Sequence, residues 1–205
     1  MKEKAMTILY EVHGKLYVNL TNKCPCACTF CLRQTRESME ESGVLWLEHT
    51  PSVEEVKAEF DKFDMGKYGE VVFCGFGEPT EALEVLLGTA RFVKERYGKK
   101  IRINTNGLGN LVNGKNIAPL FEGLIDTVSI SLNTPDAGKY YELVRPKFGE
   151  QSFEAMLSFA KECKKYVPEV VMTTVDTTLT KDEEAECRKI CEAVGARYRI
   201  RPWED

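Results

Sequence analysis

What most constrains this chain is its alternation of short apolar strands with amphipathic helices. Parallel strands need long crossovers of that kind, so the pattern implies βαβ units and a parallel sheet. Strands are read at 16–20, 70–74, 101–106, 125–133, 170–175 and 198–200. Between them, Thr50-Pro51 opens a helix with Pro51 at its first helical position, where the missing N–H is harmless. Val53, Val56, Phe60 and Phe63 give that helix a buried stripe. Further helices are predicted over about 80–97, stopped by Gly98, and over 117–123, 136–144, 152–166 and 181–194, with a Gly- and Asn-rich loop at 107–116.

Right-handed crossovers leave two layouts, a doubly wound sheet or a rolled barrel. A doubly wound sheet lies under helices on both faces and reads apolar throughout. The run 125–133 does not: Val128, Ile130 and Leu132 share one face, and Ser129, Ser131 and Asn133 the other. Asn104 and Asn106 likewise share a face. Such polarity fits a lumen filled by solvent or ligand, and six strands are too few for the usual eight. The expected fold is α/β, an open partial (β/α)6 TIM-like barrel. At 205 residues the chain is read as one domain, 1–205, with no auxiliary-cluster or cobalamin domain.

Composition narrows the function. With 28 basic and 32 acidic residues the net charge is −4, which argues against nucleic acid held by bulk charge. Residues 1–36 nevertheless carry six bases and two acids, while 37–65 carry nine acids and two bases. No apolar stretch approaches the ~20 residues that span a bilayer. Met1-Lys2-Glu3-Lys4 leads into an apolar run broken at Glu11, too short for a signal peptide, so a cytoplasmic, non-membrane protein is expected.

Of eight cysteines, Cys24, Cys26, Cys28 and Cys31 fall within eight residues, just after the first predicted strand. In a cytosolic chain this points to metal or redox chemistry rather than disulfides. Thiolates at Cys24, Cys28 and Cys31 can wrap one side of an iron–sulfur cube; with only three bound, one iron stays open. Cys26 is either a fourth ligand or a bystander, and lying two residues from each neighbour it is expected to point away. A zinc knuckle is the structural alternative, weakened because Cys24-x-Cys26 is cramped and His13 and His49, the only histidines, lie elsewhere. An electron-transfer or sensing cluster, closed by Cys26 or Cys74, is the functional one. Cys163, Cys187 and Cys191 read as small core residues. Arg199 and Arg201, on the last strand, read as solvent-exposed side chains or as a site for a carboxylate or phosphate. Gly75-Phe76-Gly77-Glu78-Pro79 follows the second strand; with no third glycine it is not a dinucleotide fingerprint. Asn104-Thr105-Asn106-Gly107 ends the third, so three motifs converge on the C-terminal rim, where barrels bind ligands.

Cys24-x3-Cys28-Thr29-Phe30-Cys31, with its aromatic in the last interval, resembles the signature of the radical S-adenosylmethionine superfamily. Gly75-Phe76-Gly77-Glu78-Pro79 resembles that family's Gly-Gly-Glu-Pro motif, with Phe76 in the second place. The stretches from Asn19 to Arg33 and from Phe73 to Pro79 are similar to the small TatD-linked members, named for their association with TatD-type nucleases. The resemblance implies a [4Fe–4S] cluster on Cys24, Cys28 and Cys31, which serve as metal ligands and catalytic residues. S-adenosylmethionine would chelate the open iron, and one electron would split it into methionine and a 5′-deoxyadenosyl radical that takes hydrogen from substrate. It further implies that Phe30 meets the adenine, that Gly75, Phe76, Gly77, Glu78 and Pro79 form the cofactor motif, with Glu78 or nearby backbone on the ammonium, and that Asn104, Asn106, Ser131 and Asn133 line the pocket. The implied partners are an external one-electron reductant of flavodoxin or ferredoxin type and a TatD-type nuclease. A small-molecule substrate is preferred over protein or RNA, with 32–50 or 107–116 folding over it as a lid.

Overall fold

In a computed structural model of the chain, which describes residues 3–203, one seven-stranded sheet runs in sequence order. Met1 and Lys2, part of the stretch read against a signal peptide, lie outside the described residues. Strands β1 (Leu9–Val12) and β2 (Lys15–Val18) pair antiparallel. Next come β3 (Glu70–Phe73), β4 (Lys100–Thr105), β5 (Thr127–Ser131), β6 (Glu169–Val175) and β7 (Arg197–Arg201), each parallel to the strand before. The six parallel strands are the expected ones; β1 is an addition to them. It forms because His13 and Gly14 both adopt positive φ, 49° and 69°, the left-handed pair that closes a two-residue hairpin. Strands β1 and β7 are the two edges and do not pair, so the barrel is open.

The helices are α1 (Val53–Phe60), α2 (Leu83–Tyr97), α3 (Gly109–Asn113), α4 (Ala137–Val144), α5 (Ser152–Cys163) and α6 (Lys181–Val194). Helix α1 starts later than predicted. Its cap is Ser52, whose hydroxyl accepts from Glu55 N at 3.2 Å while the Glu55 carboxylate takes Ser52 N at 2.8 Å. That capping box sets the first turn, and Pro51 precedes it. The stretch before α2 is a 3₁₀ turn, Pro79–Ala82, capped by Glu78. One short helix, α3, sits in what reads as a loop, and 117–123 is a 3₁₀ turn, Ala118–Phe121.

The alternation in β5 sorts the two layers as expected. Val128, Ile130 and Leu132 are fully buried beneath the helices, beside Ile101, Ile103, Phe73, Leu86, Ala90 and Phe159. Each such side chain contributes roughly 1.5–3 kcal/mol through burial. Ser129 and Ser131 face the other way, into the lumen. Cys163, Cys187 and Cys191 are buried helix residues, as their spacing predicts. No helix of the described residues is long and apolar enough to cross a membrane.

Candidate functional site

The cysteine loop leaves β2 and is fastened on two sides. Ala27 N donates to Val144 O at 3.1 Å, Thr29 N to Leu143 O at 2.9 Å, and Lys147 N to Pro25 O at 2.8 Å, docking the loop on the end of α4. Arg33 staples it from within, with Nη2 on Cys26 O at 3.2 Å and Nη1 on Phe76 O at 3.3 Å. Cys24, Cys28 and Cys31 are partly exposed, whereas Cys26 is buried. Cys26 does not point away, as the spacing suggested. Its backbone bridges to Pro146, and its thiol is hydrogen-bonded to both Cys24 and Cys28. Those hydrogen bonds push the Cys24 and Cys28 thiols below their ordinary range, while burial pushes Cys31 up.

The glycine motif lies against this loop. A Cβ on Gly75 would sit 2.1 Å from Asn19 Oδ1, and one on Gly77 2.1 Å from Thr21 O. The close approach these glycines permit is therefore that of the chain's own β2–cysteine segment. Phe76 was expected in the cofactor motif, but its side chain packs against Trp46 at 5.3 Å in a satellite core with Tyr10, Val12 and Leu45. The chain has left β3 by this point, and the turn after Phe73 carries the Phe76 ring away from the cavity that Gly75 and Gly77 line. Pro79 is buried at the start of its 3₁₀ turn.

Glu78 is the keystone. Its Oε1 accepts from Thr80 Oγ1 at 2.8 Å and Thr105 Oγ1 at 2.7 Å, and its Oε2 from Asn106 N at 2.8 Å. Burial raises its pKa, and these donors oppose the shift. With both oxygens so engaged, Glu78 ties the end of β3 to the end of β4, which leaves backbone rather than this carboxylate to meet a ligand ammonium. Thr80, Thr105, Arg33 and Asn19 carry this architecture without having been singled out in the sequence. Their signal is that Thr105, Asn19 and Arg33 lie within the motifs and Thr80 directly follows one.

Between the two motifs a cavity of about 190 Å³ opens at the C-terminal strand ends. It is lined by Cys74, Gly75, Gly77, Glu78, Asn104, Thr105, Asn106, Ser129, Ser131, Thr173 and Arg201. Asn106 joins it to the cysteines, its Nδ2 lying 3.8 Å from Cys24 Sγ. Asn104 and Asn133 each present a buried side-chain oxygen with no hydrogen-bond partner. Asn133 reaches its place with φ of 67°, and its Nδ2 returns to Ser131 O. Phe30 stands exposed on the cysteine loop. The two expected lids are largely anchored. Leu45 and Leu47 are fully buried, with Asn19 and Asn22 donating to their carbonyls at 2.8 and 2.7 Å, and Leu108 is buried beside Asn106.

Three soft thiols on one loop, an open cavity beside them and an orphaned acceptor, Asn104, within it are a donor set that fits an iron–sulfur cluster and a polar cationic cofactor; Asn133 does not line that cavity. An open sheet with a cavity at its strand ends defines a partial TIM barrel, and the comparisons place it further. The pattern of the Radical SAM superfamily matches residues 18–194. The chain belongs to that superfamily, whose cofactors are a [4Fe–4S] cluster and S-adenosylmethionine. Family membership argues against the zinc-knuckle and simple electron-transfer alternatives. GTP 3′,8-cyclase of Corynebacterium glutamicum is 33% identical over 137 residues, 63% of this chain. The chain spans about a third of that relative's length. Among solved structures, Streptococcus suis SuiB bound to the precursor peptide SuiA superposes with a TM-score of 0.69 at 18% identity, covering 92% of this chain and 39% of that one. A radical SAM methyltransferase from Sphaerobacter thermophilus gives 0.58 at 16% identity, covering 96% and 69%. Both likenesses are of fold.

Proposed function

We propose that Cys24, Cys28 and Cys31 hold the cluster, that S-adenosylmethionine occupies the 190 Å³ cavity, and that the lumen below receives a small-molecule substrate. The cavity carries this reading, because one space is walled by the glycine motif, by Asn106 beside Cys24, and by the polar face of β5. When bound, the cofactor pair supplies a 5′-deoxyadenosyl radical for hydrogen abstraction. The chain's own residues position it. The backbone of 75–77 offers hydrogen-bonding groups at a distance fixed by packing on Asn19 and Thr21, and the Asn104 and Asn133 amide oxygens accept from hydroxyl or amino groups. Phe30, exposed beside Cys31, is available to cover an adenine face.

The anchored segments around the cavity favour a small molecule, since its walls are already packed in place without a docked macromolecule. A nucleotide-sized metabolite, the class for which the curated relatives are named, is the first to assay. The electron comes from a flavodoxin- or ferredoxin-type donor, since the family generally draws on an external reductant. The segments 19–33 and 73–79 support placement in the TatD-linked branch, with a cytoplasmic setting and a functional link to a TatD-type nuclease. Anaerobic protein under dithionite should form 5′-deoxyadenosine slowly without substrate and lose that turnover on Asn106→Ala, which removes the contact to Cys24. Turnover undiminished in Asn106→Ala would place the cofactor elsewhere.

A further inference from the structure

The lumen holds more positive charge than it neutralises. Arg102 lies on β4 two residues before Asn104 and therefore on the same inner face; Arg199 and Arg201 share the inner face of β7, and Arg201 lines the cavity. Arg102 is only 7% exposed, and its Nη2 lies 3.3 Å from Glu70 Oε2, an oxygen that also serves Lys15 Nζ at 3.0 Å. Among the described residues no carboxylate oxygen lies within 4 Å of Arg199 or Arg201, whereas Arg197 is paired with Glu169 at 2.9 Å. Arg102, Arg199 and Arg201 each keep a buried Nε–H with no acceptor. Burial, with the charges of Arg102 and Arg201 close by, pushes the Arg199 pKa down. Three guanidinium groups crowded into one enclosure with unmet donors form a receptor for something negative, because a buried N–H without an acceptor is unfavourable and a guanidinium fork matches an oxyanion.

We infer that the lumen binds a compact oxyanion of the substrate, a carboxylate or a phosphate, between Arg102, Arg199 and Arg201. This rests on the proposed assignment of the cavity above to the cofactor. Arg201 lines the cofactor cavity, while Arg102 lies four positions, about 13 Å of strand, before Asn106, so the anion site runs from the floor of that cavity down into the lumen. The substrate thereby enters with its charged end down and its reacting carbon toward the cofactor.

The test is calorimetric titration of anaerobically reconstituted protein, saturated with S-adenosylmethionine, against inorganic phosphate and separately against acetate. One of the two should bind with a half-saturation near or below about 1 mM, phosphate marking a phosphorylated substrate and acetate a carboxylic acid. Arg199→Gln should weaken that binding at least about tenfold and Arg199→Lys by less, since a lysine keeps charge but not the fork. Lys165→Gln, far out on the surface, should leave it unchanged. Iron content equal to wild type certifies that each variant is folded. Binding of neither anion, equal binding by Arg199→Gln, or displacement of the anion by S-adenosylmethionine would overturn the inference. The two readings fail separately. A wild-type EPR signal unmoved by S-adenosylmethionine removes the cofactor assignment, while a shifted signal with no anion binding removes only the oxyanion site.

Discussion

Glu78 and Asn104 line the same cavity and obey opposite rules. Glu78 is buried and saturated, with Thr80, Thr105 and Asn106 all donating to it. Asn104 is on the next strand, and its side-chain oxygen has no partner. The rim formed by the glycine motif and the cysteine loop is thus scaffold, closed on itself by packing and hydrogen bonds. The lumen wall, where Asn104, Asn133 and the arginines keep unmet groups, is receptor. Changes at the rim should cost stability and cluster; changes in the lumen should cost ligand and little else.

The largest effect belongs to the cysteines. Ala at Cys24, Cys28 or Cys31 should abolish the cluster, measured as loss of iron and sulfide after reconstitution, while Cys26→Ala should retain it. Retention by Cys24→Ala with loss by Cys26→Ala would move the ligand set by one thiol. Next is Gly77→Ala. A methyl 2.1 Å from Thr21 O and 2.7 Å from Lys23 O meets backbone, so the cysteine loop must shift. A fall in melting temperature with impaired iron loading is expected, and an unaltered protein would break the scaffold reading of the rim.

Glu78→Gln should cost about 1–3 kcal/mol, since an NH₂ group replaces an acceptor among committed donors. Its pH dependence carries a sign. Burial raises the folded-state pKa of Glu78 above the ordinary 4.5, so that part of the stability is full below 4.5 and declines as pH rises through the folded value. The variant lacks this decline, and the gap between the two proteins in chemical denaturation should narrow as pH increases. Smallest in stability is Asn104→Ala, at about 0.5–1.5 kcal/mol, because only the amide's bond to Cys74 is lost and none to its oxygen. Its S-adenosylmethionine half-saturation should nevertheless rise severalfold, measured by titration of the reduced protein.

Much of this was legible in the sequence, and the exceptions share a cause. Ser129, Ser131 and Asn104 announced a lumen because period-2 alternation is a local signal. The β1 hairpin was missed since its turn, His13-Gly14, is an unusual left-handed pair rather than Asn-Gly. Phe76 reads as part of the cofactor motif by position, and the turn beyond β3 packs its ring on Trp46. Cys26 is expected to point away because it lies two residues from each neighbour; its backbone is instead bridged to Pro146, a contact 120 residues distant in sequence. The arginine cluster required knowing that β4 and β7 share a lumen, which residue order alone does not state.

The most direct measurement of the central claim is the EPR spectrum of the dithionite-reduced, reconstituted protein before and after S-adenosylmethionine is added. The account predicts a [4Fe–4S] signal whose g-values move on addition, because the cofactor ligates an iron left open by Cys24, Cys28 and Cys31. An intact cluster whose spectrum stays unchanged at saturating cofactor would contradict it.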